Sequence, residues 1–166
     1  MKTPELSIVV PAYNEETLIV NTLDGLQSFM KTRSESYEII IVDDGSQDRT
    51  VVCIQEWQKR NQADVQLLIN EENRGKGFSV RRGVLESRGQ FIFFIDADLP
   101  YELQSVDGFM NALRNGYDLA VGSRVLPGSQ VKGVPAIRFF AGNKKHKETV
   151  EEITFYIPAE ATLAGK

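Results

Sequence analysis

Short apolar runs recur along the first 120 or so residues, each ended by a polar or glycine-bearing turn and followed by a stretch with helical spacing. This alternation restricts the chain to few architectures. Leu6-Ser7-Ile8-Val9-Val10, Tyr37 to Val42, Val65 to Ile69, Phe91 to Ile95 and Leu119-Ala120-Val121 read as five strands. Continuous apolar content in Ile39–Val42 and Phe91–Ile95 marks strands buried on both faces. Between them, Glu16 to about Lys31 places Leu18, Ile19, Leu23, Leu26 and Phe29 at helical spacing. Asp48 is the expected N-cap of a helix reaching Arg60, with Val51, Val52, Ile54 and Trp57 inside. A third helix runs from the turn Asn73-Arg74-Gly75-Lys76-Gly77 to about Ser87, and a fourth covers roughly Glu102 to Arg114. Strict strand–helix alternation predicts an α/β fold: a mostly parallel sheet flanked by helices on both faces. Pro11 is expected to stop the first strand.

The pattern holds over residues 1–126 and weakens over 127–166, where a Gly/Pro/Lys-rich segment and a charged stretch around His146 replace it. That tail is expected to be atypical, and His146 solvated. With 23 acidic and 19 basic residues the formal net charge is −4, which argues against a general nucleic-acid surface. The single cysteine, Cys53, is expected to be a small buried hydrophobe in a reducing compartment. No apolar stretch approaches the roughly 18 residues a membrane span needs, so the chain is expected to be soluble.

Chemistry collects where the strands end. Asp96-Ala97-Asp98 closes the fourth run, and two carboxylates two residues apart can face one divalent ion and the diphosphate it clamps. Oxygen ligands suit Mg²⁺ or Mn²⁺. Asp43-Asp44-Gly45-Ser46 closes the second run; Asp43 can accept from a base N–H, and Asp44 from a ribose or through water to the metal. A turn with N-capping acids is the plainer alternative there. In the loop Pro11-Ala12-Tyr13-Asn14-Glu15, Tyr13 can stack on a nucleobase and Glu15 can accept from base or ribose groups; equally, the loop can be a turn capped by Asn14. Lys76 is placed near phosphate, with Arg81 and Arg82 behind it expected to be solvated. Arg124, after the fifth strand, offers a fork of donors to phosphate oxygens, and Arg138 lies where the chain can fold back over the site. No dinucleotide-binding glycine fingerprint follows the first strand, and there is no Walker pattern. An aspartate-based phosphatase would carry its Asp-x-Asp after the first strand rather than the fourth.

Together, the segments 7–15, 42–50, 73–77, 96–98 and 122–124 resemble inverting glycosyltransferases of family 2, in particular the dolichyl-phosphate mannose and glucose synthases. The resemblance spans about residues 4 to 126. It implies a GT-A type, Rossmann-like fold, a nucleotide-sugar donor of the GDP-mannose or UDP-glucose class, a divalent metal and a polyprenyl-phosphate acceptor. It assigns Pro11, Tyr13, Glu15 and Asp43 to the nucleoside, Asp96 and Asp98 to metal and diphosphate, and Arg124 with Arg138 to the phosphates. On this reading Asp98, Arg124 and Arg138 are the catalytic residues, working in the cytoplasm at the membrane face.

An ionised acceptor phosphate needs no protein base, whereas a sugar-hydroxyl acceptor would need one. Glu148, Glu151 and Glu152 are late and without a motif, which favours the phosphate. Three departures from the family pattern stand out: Pro100 where a glutamine often joins the metal, Gly142 in place of a serine, and no later Asp-Thr-Gln-Cys-Gly-Phe-Lys-like region. They raise the alternative of a nucleotide-sugar-binding fragment whose acceptor side is incomplete.

Overall fold

The computed structural model describes residues 3–61, 65–98, 103, 105–117 and 120. Four strands, β1 (Leu6–Ala12), β2 (Tyr37–Asp43), β3 (Val65–Ile69) and β4 (Phe91–Phe94), alternate with four helices, α1 (Ile19–Lys31), α2 (Thr50–Asn61), α3 (Lys76–Glu86) and α4 (Ser105–Arg114). The strands form one parallel sheet in the order β3-β2-β1-β4. Expectation and structure agree on all four strands and four helices within a few residues. Of the fifth expected strand only Ala120 is described; the tail 127–166 lies outside the described residues, as do Arg124 and Arg138.

Side-chain alternation along β1 divides the core. Leu6, Ile8, Val10 and Ala12 point to one face, where they meet Ile19, Leu23, Leu26 and Met30 of α1, Ile54 and Trp57 of α2, and Val106 and Met110 of α4. Val9 points to the other face with Ile40, Val42 and Ile92, against Val84 of α3. Helices therefore cover both faces, and each fully buried aliphatic side chain contributes about 1.5–3 kcal/mol of transfer free energy. Gly83 sets how closely α3 approaches: a Cβ there would lie 2.3 Å from Val9 Cγ1. Cys53 is half-buried against the α1/α2 core.

Pro11 does not stop β1, which runs on to Ala12. The Val9 carbonyl accepts from Ile95 N–H and the Ala12 carbonyl from Asp44 N–H, so odd residues of β1 face β4 and even residues face β2. The missing N–H of Pro11 thus points past Phe94, where pairing with β4 has ended, and no ladder bond is lost.

The opposite end of the sheet is tied by charge. Arg114 Nη2 lies 2.9 Å and Arg33 Nη2 2.8 Å from Glu35 Oε1. Burial pushes the Glu35 carboxyl up, but its own backbone amide and the two guanidiniums outweigh this and hold it at about 2. A depressed carboxylate stabilises the fold above its unfolded value near 4.5, and that contribution is lost as pH falls toward 2. Wild type should therefore lose roughly 2 kcal/mol more than Glu35→Gln between pH 5 and pH 2, allowing for the partial exposure of Arg114. Parallel acid-unfolding curves for the two proteins would remove Glu35 from this role.

Candidate functional site

The strand order reverses between β1 and β4, and a ligand of an open α/β sheet sits beyond the carboxyl ends of its strands at such a point. A cleft of about 340 Å³ opens there. From the β1 loop it takes Pro11, Ala12, Tyr13 and Glu15; from β2, Asp44; from the start of α3 and the loop before it, Asn73, Gly75, Lys76 and Ser79; from the end of β4, Asp96, Ala97 and Asp98. Most of the described candidates converge here from four separate stretches of sequence. Asp43 is not among the lining residues.

Register explains the convergence. Ala12 stands beside Asp43, so the loops after β1 and β2 leave the sheet together. They then bond each other residue for residue. Asn14 N–H donates to Ser46 Oγ at 2.9 Å, and its own Oδ1 accepts Gln47 N–H at 2.9 Å. Glu15 N–H donates to Thr50 Oγ1 at 2.7 Å and Glu16 N–H to Asp48 Oδ2 at 3.1 Å. Asn14 is therefore not a cap of α1. It sits at φ 55°, a conformation asparagine tolerates, and bridges two loops. Asp48 does serve the start of α2, accepting Thr50 N–H at 2.9 Å. This lattice holds Tyr13, which is 42% exposed at the cleft.

Asp43 and Asp44 separate into different tasks. Asp43 is fully buried; its Oδ2 accepts Ser46 N–H at 3.0 Å while Oδ1 has no partner among the described residues. Asp44 is committed to the protein: Oδ1 accepts from Asn70 Nδ2 at 2.7 Å and Arg74 N–H at 3.1 Å, and Oδ2 from Gly75 N–H at 2.7 Å. Burial pushes the Asp44 carboxyl up, yet these donors hold it below the ordinary aspartate range. It clamps the loop leading into α3. Arg82 shares this cluster, donating to the Ile69 carbonyl at 2.8 Å and to Asn70 Oδ1 at 2.6 Å, so it is not the solvated side chain its helical position suggested; Arg81 is exposed as expected.

Asp96 and Asp98 flank Ala97, whose carbonyl accepts from the buried Thr22 hydroxyl of α1. Asp96 Oδ1 lies 2.7 Å from Lys76 Nζ. Asp98 is exposed and makes no hydrogen bond among the described residues. Burial pushes the Glu15 carboxyl up, and the charges of Asp98, Asp48 and Asp96 push it further the same way. Negative charge is thus crowded at one mouth of the cleft, with oxygen donors that suit a hard divalent cation. Among the described residues no group of three or more His, Cys, Asp or Glu side chains is close enough to hold a metal unaided, so other ligands would have to complete its coordination.

Thr22, Asn70 and Ser79 carry structure around the cleft that the sequence reading passed over. Thr22 had a signal, a polar residue inside the apolar stripe Ile19, Leu23, Leu26. Asn70 had one too: it follows β3 directly, the third strand end to present a polar side chain.

A family model described as glycosyl transferase family 2 matches residues 7–160. The dolichyl-phosphate β-glucosyltransferase of Dictyostelium discoideum is 38% identical over 129 residues, which cover 72% of this chain and 39% of that protein. The dolichol-phosphate mannosyltransferase of Pyrococcus furiosus is 31% identical over 145 residues, covering 81% and 37%. A mannosyltransferase from Pyrobaculum calidifontis, solved with GDP-Man and Mn²⁺, aligns at a TM-score of 0.52 and 25% identity over 59% of this chain and 28% of that one. The chain spans about two-fifths of the length of the curated relatives it matches.

Proposed function

Because the chain belongs to glycosyl transferase family 2, we propose that it serves transfer of a hexose, with inversion, from a nucleoside diphosphate sugar to a polyprenyl phosphate of the dolichyl type. One observation carries this reading: the cleft at the switch point gathers an exposed aromatic, Tyr13, two strand-end carboxylates, Asp96 and Asp98, and a lysine at a helix start. That set matches the three parts of such a donor, which are a base, a charged diphosphate and the cation that accompanies it. The relatives are named for dolichyl phosphate, and the solved mannosyltransferase for GDP-Man and Mn²⁺.

Each residue then has a task its surroundings suit. Tyr13 offers its ring to the base. Asp43 Oδ1 has no donor among the described residues, leaving it for a base N–H if the loops part slightly. Asp44 acts through the loop it clamps, keeping Gly75 close to the ligand. Asp96 and Asp98 hold Mg²⁺ or Mn²⁺. When bound, the cation offsets charge growing on the departing diphosphate. Arg124 and Arg138 are assigned to the same phosphates. An acceptor monophosphate is ionised at neutral pH and attacks without a protein base. Its lipid chain sits in a bilayer, which places the reaction at a membrane face, the cytoplasmic one in this reading. No helix among the described residues is long and apolar enough to cross a membrane, and the reading takes the membrane contact as peripheral.

A second reading, donor binding without turnover, rests on the departures from the family pattern at Pro100 and Gly142. Calorimetric titration of UDP-glucose and GDP-mannose in Mn²⁺, followed by transfer to a polyprenyl phosphate, separates the two. Binding with transfer supports the transferase; binding alone supports the second reading. Failure of both donors to bind would overturn both.

A further inference from the structure

Lys76 is the first residue of α3, and no acidic residue stands in that helix's first turn. A helix N-terminus disfavours a cation and favours an anion. Lys76 is accommodated because its Nζ meets Asp96 Oδ1 at 2.7 Å. The pair differs from the structural ion pairs of this protein. Glu38 is buried and takes Ser7 Oγ, Arg88 N–H and two guanidinium nitrogens of Arg88. Lys76 and Asp96 share one contact, with side chains 54% and 38% exposed. Such a pair is weak and breaks readily. The nearby cation is engaged elsewhere: Arg74 lies over the Phe78 ring, 3.9 Å from its centroid.

Resting on the donor-site reading above, we infer that Lys76 exchanges partners: it neutralises Asp96 until a divalent cation takes that carboxylate, and then pairs with the donor's diphosphate. A lysine suits this, because its point charge on a flexible stem can swing between anions, whereas an arginine fork favours one bidentate geometry. The metal then meets a competing cation in Lys76, and the displaced charge is already beside the phosphates. Lys76 thus couples metal binding to nucleotide binding.

The test measures two affinities whose changes have opposite sign. Mn²⁺ alone is titrated by the electron paramagnetic resonance of the free ion; UDP and GDP are titrated by calorimetry in saturating Mn²⁺. Lys76→Met should bind Mn²⁺ alone about two- to fivefold more tightly, the range an exposed ion pair is worth. It should bind its nucleotide about tenfold or more weakly, having lost a charged donor to phosphate. Lys76→Arg should keep the wild-type Mn²⁺ affinity. Arg74→Met, which removes a charge nearby but no partner of Asp96, should leave Mn²⁺ binding unchanged. Unchanged or weaker Mn²⁺ binding in Lys76→Met overturns the exchange, as does equal tightening in Arg74→Met. Wild type that binds neither nucleotide overturns the donor-site reading and this inference with it.

Discussion

Asp98→Ala is expected to abolish Mn²⁺-dependent nucleotide binding, by at least about 100-fold, while leaving the thermal transition at or slightly above that of wild type. On the proposed reading Asp98 is itself a ligand of the cation, so the loss exceeds the roughly 10–100-fold that follows when a ligand's own hydrogen-bond partner is mutated. The stability half of the expectation follows from what surrounds the side chain. Asp98 is exposed, makes no hydrogen bond among the described residues, and its charge raises the Glu15 carboxyl. Removing it takes away repulsion and no hydrogen bond among the described residues. A side chain that costs the fold something and gives it nothing is what a functional site predicts. Calorimetry with UDP and GDP in Mn²⁺, beside differential scanning of the apo-proteins, reads both halves. Undiminished nucleotide binding would remove Asp98 from the metal; a lowered Tm would give it a structural role instead.

Much of this was legible from residue order alone, for identifiable reasons. β2 and β4 were visible because a strand covered on both faces must be apolar throughout, and Ile39–Val42 and Phe91–Phe94 are. The placing of Asp96 and Asp98 followed, since a parallel strand delivers its last residues to a known edge of the sheet. What sequence could not separate was how differently two adjacent acids are bonded. Asp43 and Asp44 are neighbours and chemically identical, yet one has a buried oxygen without a partner among the described residues and the other is bonded by three donors from the loop after β3. Those donors are 26 to 31 residues away, and three are revealed only by packing. Arg82 was misread for the same reason: its helical position suggested solvent, and its partners lie across a turn, at the end of β3. The error over Pro11 was local, because whether a strand tolerates proline depends on where its neighbour stops.

Gly45→Ala should produce the largest loss of stability of any small substitution around the cleft, about 2–4 kcal/mol. Gly45 sits at φ +72°, where an L side chain carries a penalty of about 1–2 kcal/mol. Its Cβ would also lie 2.6 Å from the Glu72 carbonyl carbon and 2.8 Å from Asn73 N, which are backbone atoms and cannot turn aside as a side-chain tip would. Relief of that overlap adds about 1–3 kcal/mol. The only movement that provides it pulls the 72–75 segment off the β2 loop, and with it Arg74 and Gly75 N–H off the buried Asp44 carboxylate. The cleft would widen where Gly75 and Lys76 line it, so nucleotide affinity should fall together with a Tm drop of roughly 5–12 °C. Gly77→Ala, in the first turn of α3, is the control. Among the described residues nothing beyond its own neighbours and helix backbone lies within 4 Å of its Cβ, so alanine there should leave stability unchanged or raise it by up to about 1 kcal/mol. Equal melting of the two variants would show that Gly45 is not a wedge between the loops, and that the Asp44 clamp is held by something other than this close approach.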